Sequence, residues 1–201
     1  MLEAAKQIVE VDGCSGLRVR EVAKRAGVNL GMFHYHFKSK DRLIQILLSE
    51  YYEEFFSRLQ QAVKIGGDSL ASLRAALVAS GCYAAEERTF FFSFFRDLLN
   101  ENAQVIQFAA TNVPRHMAIF HDLIRKCQDE GELVKMPLES TMSFLMSSIH
   151  MPTLMGYAMV RRATGVSKKK AQRGQQTRFK NLYAEEAIRM RVDSALKGLR
   201  P

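Results

Sequence analysis

Residues Arg18–Lys40, RVREVAKRAGVNLGMFHYHFKSK, decide how this chain is read. Val19, Val22 and Ala23 recur at i, i+3 and i+4, which gives a short helix over 19–25 one apolar face. Gly27 follows at the point where a helix ends and the backbone can take a positive φ. Asn29 is placed as the N-cap of a second short helix over 30–35. Helix, glycine-bearing turn, helix is the helix-turn-helix plan, in which the second helix enters the major groove of DNA with its N-terminus leading. On such a helix Leu30, Gly31 and Met32 point at base edges. Gly31 permits close backbone approach, and Leu30 and Met32 suit a thymine methyl better than a guanine edge. Asn29 caps the helix or reads an adenine.

The identities around this frame go further. Val22-Ala23, Ala26-Gly27-Val28, Gly31, His36-Phe37, Lys40 and Leu43 stand in order and without a gap. They fit the pattern T-x-x-x-I-A-x-x-A-G-V-S-x-G-x-x-Y-x-H-F-x-x-K-x-x-L, so the stretch resembles the N-terminal signature of the tetracycline-repressor (TetR) family of bacterial transcription regulators. Arg18 stands where the pattern has Thr, Asn29 where it has Ser, and His34 where it has a phosphate-touching Tyr. The resemblance implies that Tyr35 faces the groove and that His34, His36 and Lys40 lie at phosphate positions. It also places Arg20 within reach of a base or phosphate, and Arg18 of a phosphate. For each arginine a solvated charge is an equal alternative, and for His36 a structural hydrogen bond is the alternative. Phe33 and Phe37 are expected in the core.

Length and charge bound the rest. The chain has 201 residues, 47% apolar, enough for a substantial core. No apolar run reaches the roughly 18 residues a membrane helix needs. The start, MLEAAKQIVEVDG, lacks the basic-then-apolar layout of a signal peptide, so a cytoplasmic protein that does not bind membranes is expected. Cys14, Cys82 and Cys127 are far apart and no Cys/His cluster occurs, so no metal site, cofactor or disulfide framework is indicated. His34 and His36 point about 200° apart on a helix and cannot share a metal. No nucleophile elbow, phosphate loop or carboxylate pair suggests an enzyme. The net charge of +8 is unevenly spread: residues 161–180 carry 8 basic side chains and no acidic one, whereas residues 1–47 carry 8 basic and 5 acidic. The basic balance therefore resides mostly outside the helix-turn-helix.

In chain order, Leu2–Val11 forms a helix that Asp12-Gly13 ends. Ser39 caps a long helix to about Lys64, which Gly66-Gly67 stops, and Asp68 or Ser69 caps the next, to about Glu86. The run TFFFSFFRDLLN from Thr89 could be a buried strand by composition, but its flanks favour a helix. Pro114 is expected to start a helix through Cys127 that closes at Gly131. Glu139 or Ser140 opens a helix to about Arg162 that Pro152 should kink, Thr164–Thr177 reads as an exposed loop, and Asn181–Leu199 is a last helix. The predicted fold is all-α: a helix-turn-helix DNA-binding domain over residues 1–47, then a helical ligand-binding and dimerisation domain over 48–201, with about nine helices.

The second domain is rich in Phe and Met, which more often mean core than cavity, though methionine gives an adaptable lining. The resemblance implies an inducer cavity. Its expected lining is Phe91, Phe94, Phe95, Phe120, Met142 and Met146, with Arg96 and His150 as candidate polar anchors for a small apolar or aromatic ligand; a salt-bridged surface arginine and a satisfied core histidine are the weightier alternatives for these two. It also implies a homodimer through the 138–162 and 181–199 helices, whose apolar stripes by themselves equally allow plain core. The function expected is a sequence-specific repressor released by that ligand from a palindromic double-stranded DNA operator. The alternative is a helical architectural protein that binds DNA nonspecifically through the basic 161–180 loop.

Overall fold

A computed structural model describes residues 1–163 and 181–201. The loop expected over Thr164–Thr177, and with it most of the basic stretch 161–180, lies outside the described residues. Nine helices are bounded among the described residues: α1 (Leu2–Gly16), α2 (Val19–Arg25), α3 (Leu30–Phe37), α4 (Lys40–Gly66), α5 (Ser69–Glu86), α6 (Arg88–Leu99), α7 (Ala103–Asp129), α8 (Leu138–Ala163) and α9 (Glu185–Lys197); residues 181–183 are helical as well, and no strand occurs among the described residues. None is long and apolar enough to cross a membrane.

Two compact units divide the chain: Met1–Glu54 with Thr89–Pro114, and Phe55–Arg88 with Arg115–Pro201. The boundary expected at residue 47 therefore does not coincide with the compact units, because residues 89–114 belong with the N-terminal helices. In the first unit Ile8, Val9, Leu17, Val22, Phe33, Leu43, Ile44, Leu47 and Leu48 are buried, and each large side chain taken from water contributes about 1.5–3 kcal/mol. Tyr51 stacks on Phe90 with ring centroids 3.6 Å apart. The phenylalanine run thus enters this core as helix α6. In the second unit Leu59, Leu73, Leu77, Phe120, Ile124, Leu145, Ile149 and Val192 form one cluster. Helices α5, α8 and α9 close on Gly81 there: a Cβ at that position would lie 2.7 Å from Ile188 Cγ2 and 2.8 Å from Ile149 Cγ2. Arg74 of α5 grips Asp193 of α9 through both carboxylate oxygens, at 2.5 and 2.8 Å.

Caps set several boundaries as the sequence suggests. Asp68 accepts from the Ala71 amide at 2.7 Å, and Ser39 accepts from the Arg42 amide at 3.1 Å. Other expectations need correction. At Gly13 the backbone of α1 leaves the helical region (φ 78, ψ 177), yet a further turn carries the helix to Gly16. The helix expected to start at Pro114 starts at Ala103, with Pro114 inside it. A proline at 114 removes the amide that would pair with the carbonyl of residue 110, and Ala110 is exposed to water, which offers that carbonyl another partner. The last helix is broken rather than continuous over 181–199: residues 181–183 are helical, Ala184 takes an extended conformation (ψ 142), and α9 runs from Glu185 to Lys197. Helix α3 runs past Tyr35 to Phe37, which is only half-buried.

Candidate nucleic-acid interface

The turn between α2 and α3 is built from backbone hydrogen bonds. The Val28 amide donates to the Ala23 carbonyl at 3.0 Å across Gly27, whose φ of 67 lets the chain reverse. Asn29 then takes an extended conformation, and its side chain accepts from the Met32 amide at 2.9 Å. Its oxygen is thereby engaged as a cap, one of the two roles the sequence left open. A Cβ at Gly31 would lie 3.2 Å from that oxygen, so glycine keeps the cap clear. At the other end Lys38 (φ 63) sits in a tight three-residue turn closed by the Ser39 amide on the Phe37 carbonyl at 2.7 Å. Two caps and two left-handed residues thus hold α3 at a fixed angle between α2 and α4.

Within α3 burial separates the side chains sharply. Phe33 is 0% exposed and anchors the helix, while Leu30, Met32 and Tyr35 are 40%, 42% and 79% exposed. Gly31, His34 and His36 are also exposed, as are Arg18 and Arg20; Lys40 is half-buried. The His34 ring is held by its Nδ1 against the Lys38 carbonyl at 3.3 Å, and Tyr35 meets His36 edge-on at 5.1 Å. A short helix with apolar and aromatic side chains turned outward, flanked by Arg18, Arg20 and Lys40, can meet both the apolar and the phosphate surfaces of a duplex groove.

A polar fastening behind this head was missed by sequence reasoning. Ser93 Oγ donates to the Glu10 carbonyl at 2.8 Å, and the buried Asp97 carboxylate accepts from the Cys14 amide at 2.5 Å and from Ser15 Oγ at 3.3 Å. Arg96 Nη1 donates to the Val11 carbonyl at 3.5 Å. These groups receive the chain where α1 breaks at Gly13. Burial, together with the Asp97 charge, pushes the Cys14 thiol up to about 12. The signal was present: Ser93, Arg96 and Asp97 fall at i, i+3 and i+4 in a run otherwise dominated by phenylalanine.

The ligand candidates fall in different units. Phe91, Phe94, Phe95 and Arg96 lie on α6, with Phe91 and Phe95 packed edge-on at 5.0 Å. Phe120 and Met142 are buried in the second unit, with Met146 half-buried against the same cluster. His150 Nδ1 pairs with the Met146 carbonyl at 3.0 Å and Nε2 with Ser80 Oγ at 2.8 Å. Burial pushes its pKa below the usual histidine range, so the ring is neutral, donating from Nδ1 and accepting at Nε2. A surface cleft of about 490 Å³ on α5 and α9 is lined by Arg74, Glu186, Arg189, Met190, Asp193, Ser194 and Lys197, none of them a ligand candidate.

The fold and the head define a class: a helix-turn-helix DNA-binding transcriptional regulator. A family model described as "Bacterial regulatory proteins, tetR family" matches residues 1–46, so the N-terminal part of the chain is similar to that family. A curated relative, "Probable HTH-type transcriptional regulator YttP" of Bacillus subtilis, is 28% identical over 77% of this chain and 75% of its own. The "HTH-type transcriptional repressor KstR2" of Rhodococcus jostii is 29% identical over 40% of this chain and only 39% of its own. Among solved structures, the TetR family transcriptional regulator PfmR of Thermus thermophilus superposes with a TM-score of 0.70 over 100% of this chain and 98% of its own. At 17% identity that likeness is one of fold.

Proposed function

We propose that this chain is a transcriptional repressor that binds a palindromic operator as a homodimer and leaves it when a small apolar or aromatic molecule binds. The observation that carries the DNA-reading part is the exposed face of α3, where Leu30, Met32 and Tyr35 are turned outward around a fully buried Phe33. In this reading Leu30, Gly31, Met32 and Tyr35 meet base edges, while Arg18, Arg20, His34, His36 and Lys40 meet phosphates. Asn29 acts by capping. A single head buries too little for specificity, since one module buries about 600–1,000 Å², so two heads on paired half-sites are required.

Support for the dimer comes from α8 and α9. Phe144, Met151, Met155 and Met159 stand 43–56% exposed at i, i+7, i+11 and i+15 of α8, and Met190 of α9 is 65% exposed. Such a stripe is covered most simply by its own copy. In functional terms we keep residues 1–47 as the DNA-binding domain and 48–201 as the ligand-binding and dimerisation domain. Release requires that the ligand favour one spacing of the two heads over another. We assign that change to α4, whose residues belong to both units. The repressor sign is supported by the similarity to KstR2, a transcriptional repressor by name.

The test is selection of duplexes from a random pool, followed by titration of the selected site by fluorescence anisotropy. A two-fold symmetric site with half-sites about one helical turn apart, or a multiple of it, is expected. Recovery of no consensus, with binding that collapses steeply between about 50 and 200 mM salt, would support the nonspecific alternative instead.

A further inference from the structure

Residues 93–104, where α6 turns into α7, bond to the reading head on both of its flanks, and all the partners belong to one compact unit. One flank is the break in α1. Before it, Ser93 Oγ and Arg96 Nη1 donate to the Glu10 and Val11 carbonyls at 2.8 and 3.5 Å. Beyond it, the Asp97 carboxylate accepts from the Cys14 amide at 2.5 Å and from Ser15 Oγ at 3.3 Å. Asn102 Nδ2 donates to that same Ser15 Oγ at 3.0 Å. The other flank is the start of α4. Gln104 Nε2 donates to Asp41 Oδ1 at 3.1 Å, and the Gln104 carbonyl accepts from Gln45 Nε2 at 3.2 Å. The corner is itself fixed: Glu101 takes a positive φ of 57, the Asn102 amide donates to the Asp97 carbonyl at 2.9 Å, and Asn102 Oδ1 accepts from the Val105 amide at 3.1 Å.

The placement of these bonds gives them a lever on α3. After the held turn at Cys14 and Ser15, only Gly16, the buried Leu17 and Arg18 precede α2, which begins at Val19. At the other end only Lys38 and Ser39 separate α3 from α4, and the bonded Asp41 lies in the first turn of α4. The chain thus enters the helix-turn-helix from one held point and leaves it at another. Both points are held by residues 97–104. A carboxylate is costly to bury unless donors answer it, and Asp97 is buried. Its two oxygens are answered one each by the Cys14 amide and the Ser15 hydroxyl, so the carboxylate and the α1 turn fix one another.

We propose that Asp97, Asn102 and Gln104 are positioning residues for sequence recognition: they fix where the chain enters α2 and where it leaves α3, and so set the angle at which α3 is presented. Residues 1–47 then touch the duplex, while residues 97–104 decide how they touch it. None of the three lies on α3, so their effect on DNA passes through α1 and α4. Base edges are read only by side chains held in register with them, whereas attraction to phosphates tolerates displacement. Loss of a brace therefore costs sequence preference and spares nonspecific affinity. The inference rests on the reading above that the outward face of α3 meets base edges.

The test uses the full chain, a selected operator duplex and a random-sequence duplex of the same length, titrated by fluorescence anisotropy well below every Tm. Asp97→Asn keeps the size of the side chain but leaves one acceptor facing two donors. It should lower operator affinity about tenfold or more, while affinity for the random duplex stays within about threefold. Gln104→Glu sets a second carboxylate against Asp41 at a half-buried position and should act the same way, which keeps the assignment testable if Asp97→Asn does not fold. Ser15→Ala should weaken operator binding, and Ser15→Thr, which keeps the hydroxyl, should preserve it. Leu77→Ala is the control for stability: it opens a cavity in the second unit, lowers Tm, and should leave the ratio of the two affinities at the wild-type value. Operator affinity within about threefold of the wild type in both Asp97→Asn and Gln104→Glu overturns the positioning role and leaves the base-reading face standing. A parallel loss on both duplexes, or a ratio that falls as far in Leu77→Ala, overturns it too. A wild type that prefers no duplex overturns base reading itself, and with it this inference, so the two failures are told apart.

Discussion

Gly13 is a residue whose replacement has a calculable penalty. Its φ of 78 and ψ of 177 belong to a region that only glycine enters readily, and a Cβ there would meet Arg96 Nη2 and, at 2.6 Å, both oxygens of Asp97. Gly13→Ala should therefore cost about 2–4 kcal/mol in urea unfolding, the sum of backbone strain and overpacking. Next to it, Cys14 gives a pH signature. Its thiol is raised from 9.0 to about 12, first by burial and then by the Asp97 charge. A group raised in the folded state favours folding below its unfolded pKa, and that contribution is lost as the pH climbs through the folded value. The stability of the wild type should thus fall more steeply than that of Cys14→Ala between pH 9 and 12, as read from Tm against pH; parallel curves would contradict the assignment. The sequence shows Gly13 as a helix end, but nothing local to residues 12–16 announces that a carboxylate from residue 97 fills the break. That pairing is long-range, and periodicity reads only neighbours. The same holds for Arg191, which falls three residues after the buried Ile188 on the inward face of its helix. An arginine on an apolar face was visible there, but its bond to the Leu182 carbonyl was not.

Helix α3 separates stability from recognition within a single element. Phe33 is fully buried, so Phe33→Ala should cost about 3–5 kcal/mol in unfolding experiments. Asn29→Ala removes the cap on the Met32 amide and should cost about 1 kcal/mol. Tyr35 is 79% exposed, so Tyr35→Ala should leave stability within about 0.5 kcal/mol and act on DNA affinity alone. Elements of this kind are legible because caps and left-handed glycines act over three or four residues: Asp68, Ser39, Asn29 and Gly27 stand where the rules place them. The rules fail where an element's fate depends on what lies outside it. Proline reads as a helix start, yet α7 continues through Pro114. Ala184 offers no breaking residue, yet the backbone extends there and interrupts the helix between residues 181–183 and α9. The phenylalanine run is ambiguous by composition and becomes a helix whose Phe90 stacks on Tyr51.

For the molecule as a whole, the all-α class and the helix-turn-helix follow from short-range pattern, whereas the grouping into compact units does not. Residues 89–114 join the N-terminal helices through bonds such as Tyr52 Oη to the Asn112 carbonyl at 2.5 Å and Gln45 Nε2 to the Gln104 carbonyl at 3.2 Å, between partners about sixty positions apart. No periodicity reports such pairings. The dimer is likewise a property of the assembly, argued from the exposed Phe144, Met151, Met155 and Met159. A charge at the middle of that stripe, Met155→Glu, should yield monomers in analytical ultracentrifugation with the helical content unchanged, and with them a large loss of operator affinity. Everything in the account depends on the outward face of α3. Its most direct test is the anisotropy titration of a selected operator duplex at about 150 mM salt, comparing wild type with Tyr35→Ala at matched Tm and matched oligomeric mass. A loss of about tenfold or more, about 1.4 kcal/mol, is the predicted result, and an unchanged affinity would contradict it.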